Sequence, residues 1–110
     1  MKLMTDMQNG RTVVSVREER LDAHNSNELK DRIHKILEDD AHNLIVDLGQ
    51  VSFIGQLGLG ALLSGYKNAN LRSSAFALAG LQPRVKSMLE LTRLHRVFDI
   101  YPGLQDALGS

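Results

Sequence analysis

Three short runs of apolar and β-branched residues place the strongest limit on what this chain can fold into. The runs are residues 12–16 (TVVSV), 44–48 (LIVDL) and 75–79 (AFALA). Each has the length and composition of a β-strand, and a helix-like spacing of Leu29, Ile33 and Leu37 lies between the first two. Because strands alternate with helices along the chain, we expect one α/β domain that spans residues 1–110.

Turn and breaker residues indicate how the two ends of the chain are arranged. Asn9-Gly10 lies between two alternating segments, and Asn-Gly is favoured in the tight turn of a β-hairpin. Near the other end, residues 97–100 predict a last short strand or an extended segment, and Pro102 predicts the start of a terminal helix. The predicted fold is a mixed sheet with an N-terminal hairpin and about four helices.

Residue spacings within the first two predicted helices indicate how each of them begins and packs. Asn25 followed by Glu28 resembles a capping box at the start of the first helix. In the second helix, Gly58, Ala61 and Gly65 place small residues at neighbouring positions. These small residues would let the second helix approach a sheet or a partner closely.

The composition excludes several classes of function. With 13 Lys and Arg against 13 Asp and Glu, the chain has no net charge that would attract nucleic acid or an anionic membrane. It has no cysteine, which excludes disulfides, thiolate metal sites and a cysteine nucleophile. Its longest apolar run is far shorter than the ~20 residues of a membrane-spanning helix. We therefore expect a cytoplasmic protein with no nucleic-acid partner and no insertion into a membrane.

No residue pattern predicts catalysis, a metal ion or a cofactor. Gly58 and Gly60 resemble the start of a dinucleotide-binding turn, but Leu63 replaces the third glycine of that motif. The four histidines have no metal-ligand spacing, and we expect His34 and His42 to be solvated. We accordingly do not expect the chain to be an enzyme, and we expect no catalytic residue.

A longer segment in the middle of the chain is similar to a known family. Residues 45–54 (IVDLGQVSFI), followed by residues 58–63 (GLGALL), resemble the central motif of STAS domains, and in particular of free-standing anti-sigma-factor antagonists. Three flanking segments match the family in the same order: residues 21–23 (LDA), 78–85 (LAGLQPRV) and 97–102 (VFDIYP). The resemblance therefore covers nearly the whole chain.

This resemblance implies a mixed sheet with an N-terminal hairpin, helices mainly on one face, and function by protein binding. Antagonists of this family capture an anti-sigma factor, usually a GHKL-type serine kinase, and so release a sigma factor. The kinase phosphorylates a serine at the N-terminus of the second helix. The fold tolerates a phosphate there because a helix N-terminus favours negative charge, but the added charge breaks the complex.

The chain departs from the family at that phosphorylation site. The family's Asp-Ser-Ser is here Gly55-Gln56-Leu57, so the acceptor position is occupied by Leu57, which has no hydroxyl. Ser52 and Ser64 lie nearby in the sequence, but we expect neither of them to occupy the acceptor position. The resemblance thus implies a binding module that lacks the usual phosphoacceptor.

The resemblance also predicts a partner-binding surface on the loop before the first helix and on the turn that begins the second. The expected residues are Asp22, His24, Asn25, Gly55, Gln56, Leu57, Gly58, Leu59 and Ala61. We expect Gly58→Trp to weaken partner binding while the fold survives. Three other roles stay open: a STAS subunit of a stressosome-type scaffold, a component of a lipid-transport system, or a sensor of a small ligand or nucleotide.

Overall fold

Seven strands, four helices and one short 3-10 turn make up the part of the chain that the computed structural model describes, residues 1–109. The strands are β1 (Leu3–Gln8), β2 (Arg11–Val16), β3 (Arg20–Leu21), β4 (Asn43–Asp47), β5 (Phe53–Ile54), β6 (Ala75–Ala79) and β7 (Asp99–Tyr101). The helices are α1 (Ser26–Glu38), α2 (Gln56–Leu71), α3 (Pro83–Leu91) and α4 (Leu104–Leu108), and the 3-10 turn is Leu94–Arg96. Among these residues, none of the helices has both the length and the apolar character that a membrane crossing requires.

The main sheet has five strands in the order β1-β2-β4-β6-β7. β1 and β2 form the antiparallel hairpin that the Asn-Gly pair predicts, and both turn residues have a positive φ, 51° at Asn9 and 76° at Gly10. The other three pairs of neighbouring strands are parallel. The mixed sheet and the N-terminal hairpin are therefore confirmed.

Most of the core lies between one face of this sheet and three helices. α1, α2 and α3 bury their apolar sides against strand residues such as Val14 and Val46. The alternate strand residues, among them Val13 and Ile45, point to the opposite face, because successive side chains of a strand alternate. There they pack against α4 through Ala107. The helices thus lie mainly on one face, as expected, and within residues 1–109 the short α4 alone covers the other.

The C-terminal segment differs in detail from its prediction. The last strand begins at Asp99, two residues later than expected, and Phe98 before it is buried with its ring centroid 5.7 Å from that of Tyr66. The last helix begins at Leu104 and not at Pro102. Its N-cap residue, Gly103, has an extended backbone, so Pro102 lies in the turn before the helix.

Gly65 lets α2 pack closely against both α1 and the sheet. A Cβ at this position would lie 2.9 Å from Cγ2 of Ile33 and 3.1 Å from Cε2 of Phe76, which is closer than side-chain atoms normally pack. At Gly60, by contrast, a Cβ would meet no atom within 4 Å. The close approach that the small residues of α2 predict is therefore confirmed at Gly65.

These two glycines offer a matched pair of substitutions. We expect Gly65→Val to lower the free energy of unfolding by about 1–3 kcal/mol, because it overpacks the space between Ile33 and Phe76. Gly60→Val should leave that free energy unchanged or raise it by roughly a few tenths of a kcal/mol, since valine has the higher helix propensity. Urea denaturation measures both values, and equal stabilities of the two variants would contradict this account of the packing.

Candidate partner-binding site

The loop before α1 and the turn before α2 lie side by side because β3 and β5 pair with each other. The pairing is parallel, with Leu21 opposite Ile54, and the Gly55 N–H donates a hydrogen bond of 2.9 Å to the Leu21 carbonyl oxygen. A Cβ on Gly55 would lie 3.6 Å from Cβ of Asp22. Two segments that are distant in the sequence, and that the resemblance assigns to one surface, are therefore neighbours in the structure.

Side-chain hydrogen bonds hold the loop from Asp22 to Asn25. Oδ1 of Asp22 accepts a bond of 3.0 Å from the His24 N–H, and Oδ1 of Asn25 accepts one of 2.9 Å from the Asp22 N–H. The Asn25 amide group also donates to the Arg20 carbonyl oxygen at 2.7 Å. The loop is thus ordered by its own side chains, and His24 is exposed upon it.

The predicted capping box at the start of α1 is wrong. Asn25 occupies the N-cap position, but its side chain makes no hydrogen bond to the helix. Both polar atoms of that side chain bond within the preceding loop instead. Glu28 lies 3.2 Å from the Met1 amino group and does not bond back to the start of the helix. Asn25 therefore organises the loop and not the helix end.

Arg20 and Phe53 belong to the site although no sequence pattern indicates them. The guanidinium carbon of Arg20 lies 4.2 Å from the centroid of the Phe53 ring, within the range of a cation–π interaction. The same guanidinium lies 3.2 Å from a carboxylate oxygen of Asp22. Because only the pairing of β3 with β5 brings Arg20 and Phe53 together, no spacing within the sequence could have revealed their contact.

Leu57 is the exposed apolar residue of the site. It is 60% exposed in the first turn of α2, and the neighbouring Gln56 is exposed as well. Gly55, the N-cap residue, has no side chain that could cap the helix, and the first turn contains no acidic residue. The start of α2 therefore combines an exposed leucine with N–H groups that no side chain caps.

Gly58, Leu59 and Ala61 are buried, although the resemblance assigns them to the partner-binding surface. Leu59 is 5% exposed and Ala61 is 3% exposed. Gly58 is buried, and a Cβ there would lie 2.5 Å from the Leu21 carbonyl oxygen. Gly58→Trp would therefore displace backbone and disrupt the fold, so this substitution cannot test binding. Gly58 and Ala61 are three residues apart and share one side of α2, which faces the interior together with Leu59.

The carboxylate of Asp22 has a pKa below its ordinary value of 3.8. The largest cause is the hydrogen bond from the His24 N–H, which favours the charged form. Desolvation opposes the shift, and Arg20 lowers the pKa further. Because folding lowers this pKa, the charged carboxylate stabilises the folded loop above about pH 3.8, and this contribution is lost as the pH falls through the folded-state pKa.

We expect the amide proton of His24 to report this titration with a midpoint below 3.8. An NMR titration of the amide signal between roughly pH 2 and pH 6 covers the required range. Asp22→Asn is the matched control, because its amide oxygen still accepts the hydrogen bond but does not titrate. A midpoint at or above 3.8, or an unchanged transition in Asp22→Asn, would contradict the assignment.

The two serines nearest to the start of α2 in the sequence form other contacts. Ser52 lies in the loop before β5, and its hydroxyl donates to the Glu19 carbonyl oxygen at 3.2 Å. Oγ of Ser64 lies 3.0 Å from Nε2 of His34 on α1. Neither hydroxyl lies in the first turn of α2, in agreement with the expectation from the sequence.

His34 is not simply solvated, contrary to its prediction, but is the centre of a polar network between α1 and α2. Its Nδ1 lies 3.0 Å from Nδ2 of Asn68, and Oδ1 of Asn68 accepts a bond of 3.2 Å from Arg72. Because Arg72 can only donate, the amide oxygen of Asn68 must face it, and the amide nitrogen must face His34. Nδ1 of His34 is therefore an acceptor, and Nε2 carries the proton that points to Ser64.

This arrangement of protons is the reverse of what a serine nucleophile needs. In a hydrolytic triad, the histidine accepts the serine proton at Nε2 and donates from Nδ1. Here Nε2 of His34 donates to Ser64, and Nδ1 accepts from Asn68. The network joins two helices and does not activate Ser64.

Both the sequence and the fold match one protein family. The family model described as STAS domain matches residues 2–107, so the chain belongs to the STAS domain family. An anti-sigma F factor antagonist of Paenibacillus polymyxa is 26% identical over 110 residues, which cover 98% of this chain and 94% of that relative. An anti-sigma-B factor antagonist of Listeria monocytogenes is 28% identical over 80 residues, which cover 73% of this chain and 70% of that relative.

A solved structure extends the similarity to three dimensions. The crystal structure of an anti-sigma factor antagonist from Mycobacterium paratuberculosis matches with a TM-score of 0.89 at 29% identity, and the match covers 98% of this chain and 91% of that one. The membership in the STAS family that the central motif predicts is therefore confirmed.

Proposed function

We propose that this chain binds an anti-sigma factor through the ordered loop before α1 and the first turn of α2. The main support for the proposal is the exposure of Leu57, a leucine beside a hydrogen-bonded loop. The chain is also similar to anti-sigma factor antagonists. The proposed contact residues are Asp22, His24, Asn25, Gly55, Gln56 and Leu57. Gly58, Leu59 and Ala61 would support this surface from within the fold.

The affinity of such a complex would come mainly from Leu57. Because Leu57 is 60% exposed, burying the rest of its side chain contributes about 1–2 kcal/mol. The loop beside it is already held by the side chains of Asp22 and Asn25, so little conformational freedom is lost on binding. Exposed polar groups around the leucine, such as His24 and Arg20, would orient the partner through hydrogen bonds at the rim of the interface.

We also infer that phosphorylation at the start of α2 does not switch this binding off. The positions before Gly58 are Gly55, Gln56 and Leu57, and none of them has a hydroxyl. The resemblance implies that the anti-sigma factor is a GHKL-type serine kinase. On our proposal that kinase is bound by this chain but finds no acceptor in the turn before α2.

The substitution Leu57→Asp separates binding from folding. The new charge should stabilise α2 by about 0.3–1 kcal/mol, because it lies at the uncapped helix N-terminus. In the interface the same carboxylate would be desolvated without a partner, so affinity for the anti-sigma factor should fall at least about 100-fold. Calorimetry with the anti-sigma factor that co-purifies from the native host measures the affinity, and thermal unfolding measures the stability.

Leu91→Asp is the matched control for this experiment. Leu91 is 80% exposed and lies on α3, which contributes no residue to the proposed surface, so its replacement should leave affinity unchanged. Leu57→Ser should bind roughly tenfold more weakly than the wild type, because it loses the apolar contact but adds no charge. Full affinity of Leu57→Asp would refute the proposed surface, and a large loss of stability would show that Leu57 supports the core instead.

A second experiment tests the inference about phosphorylation. After incubation with the same anti-sigma factor and ATP, we expect intact-mass measurement to show no phosphate on the wild-type chain, because residues 55–57 have no hydroxyl. Leu57→Ser provides the comparison, since it places a hydroxyl at the acceptor position. A phosphopeptide that maps to Ser52 or Ser64 would mean that the switch has moved, and it would contradict the inference.

A further inference from the structure

The outer surface between α1 and α2 forms a continuous depression, which we call the α1–α2 groove. Two cavities of about 340 and 500 Å³ open along it, and Gly60 lines both of them. Five of the lining residues on α2 follow each other at helical spacing, Leu57, Gly60, Ser64, Lys67 and Leu71, and Ala61, Leu63 and Asn68 lie beside them. The groove therefore begins at the proposed contact surface and continues to the far end of α2.

Exposed leucines mark the two ends of the α1–α2 groove. Leu57 is 60% exposed and Leu71 is 87% exposed. About four helical turns separate them, which corresponds to about 21 Å along α2 at 1.5 Å per residue. Between them Gly60 leaves a notch, because a Cβ at this position would meet no atom within 4 Å. An occupant of the groove would find an apolar contact at each end and space for one of its side chains between them.

Positive charge is concentrated along the same groove. Lys30 of α1 and Lys67 of α2 line it together with Arg72, and Glu38 is the single acidic residue of the lining. The chain as a whole has equal numbers of acidic and basic residues, so this excess is local. Within residues 1–109, neither lysine forms an ion pair. Both ammonium groups are therefore available to an acidic partner.

Hydrogen bonds between the two helices hold the walls of the groove in place. His34 of α1 contacts Ser64 and Asn68 of α2, each at 3.0 Å. Near the end of both helices, Arg72 donates to the Leu37 carbonyl oxygen at 3.2 Å. The groove is thus formed before any partner arrives, and its occupant loses little affinity to reorganisation of the two helices.

We propose that an acidic amphipathic α-helix of the protein partner lies in the α1–α2 groove. A groove between two helices can accept a third helix, and its apolar side would rest on Leu57, Leu71 and the notch at Gly60. Acidic residues beside that apolar side would face Lys30 and Lys67. A nucleic-acid strand would use the lysines but would leave both leucines in water. This inference rests on the proposed function and adds the chemistry of the partner, a helix of about 14 residues.

Two synthetic peptides test the chemistry of the groove directly. One is a capped helical peptide of about 16 residues with leucine and alanine on one side and glutamate on the other, and its counterpart has lysine in place of every glutamate. In NMR titrations, the acidic peptide should shift the amide signals of groove-lining residues and bind at least about tenfold more tightly than the basic one. The double variant Lys30→Glu with Lys67→Glu should reverse this preference.

Each alternative occupant gives a different result in these titrations. Equal affinity for the two peptides, or no binding of the acidic one, would overturn the proposal, as would signals that shift mainly outside the groove. Groove signals that move with the concentration of the protein alone would show that a second copy occupies the groove. A single-stranded oligonucleotide that competes with the acidic peptide and binds more tightly would identify nucleic acid as the occupant.

Further variants carry the test to the anti-sigma factor itself. Gly60→Phe projects a ring into the open notch, and Leu71→Asp places a charge at the far end of the groove. Both should weaken the complex at least about tenfold without lowering Tm. Leu91→Asp should leave the affinity of the complex unchanged. If Leu57→Asp abolishes binding but Gly60→Phe and Leu71→Asp bind like the wild type, the groove proposal is wrong and the proposed function stands. If none of these variants changes affinity, both proposals are wrong.

Discussion

The backbone at the start of α2 lies in close contact with the backbone of β3. The geometry of the whole site depends on this contact. The Gly55 N–H bonds to the Leu21 carbonyl oxygen at 2.9 Å, and Gly58 lies so near the same oxygen that a Cβ would be 2.5 Å from it. The pairing of β3 with β5 sets the register of this contact. A side chain at position 58 would push α2 away from the loop and separate Gly55 from Asp22. The position of the exposed leucine is therefore a consequence of a glycine that is itself buried.

The two sides of α2 serve different purposes, and its glycines show the difference. Gly65 lies on the inward side, where Ile33 and Phe76 leave no room for a side chain, so α2 can pack closely against α1 and the sheet. Gly60 lies on the outward side, where the missing side chain leaves a notch in an exposed groove. One residue type thus permits close packing in the core and opens space at the surface. This division lets a well-packed domain keep an open groove along its longest helix.

The network around His34 shows that a cluster of serine, histidine and asparagine can be purely structural. The direction of each hydrogen bond decides the role of the cluster, and here Arg72 determines the orientation of the Asn68 amide. That orientation leaves Nε2 of His34 as a donor to Ser64, which is unsuited to nucleophilic attack. The same hydrogen bonds join α1 to α2 near the surface, at the groove between the two helices.

Local patterns in the sequence determined two parts of this fold, the hairpin at the Asn-Gly pair and the three apolar strands. The sequence by itself also showed the STAS motif of residues 45–63 and the absence of a hydroxyl at residues 55–57. Only the tertiary structure decided which residues of the site reach solvent. Gly58, Leu59 and Ala61 are buried although the motif assigns them to the surface, because α2 has leucines and small residues on both sides and its spacing does not reveal which side faces the core. The contacts of Arg20 with Phe53 and of His34 with Ser64 join elements far apart in the chain. Sequence spacing carries no information about such pairs, since the packing of the sheet and helices alone brings them together.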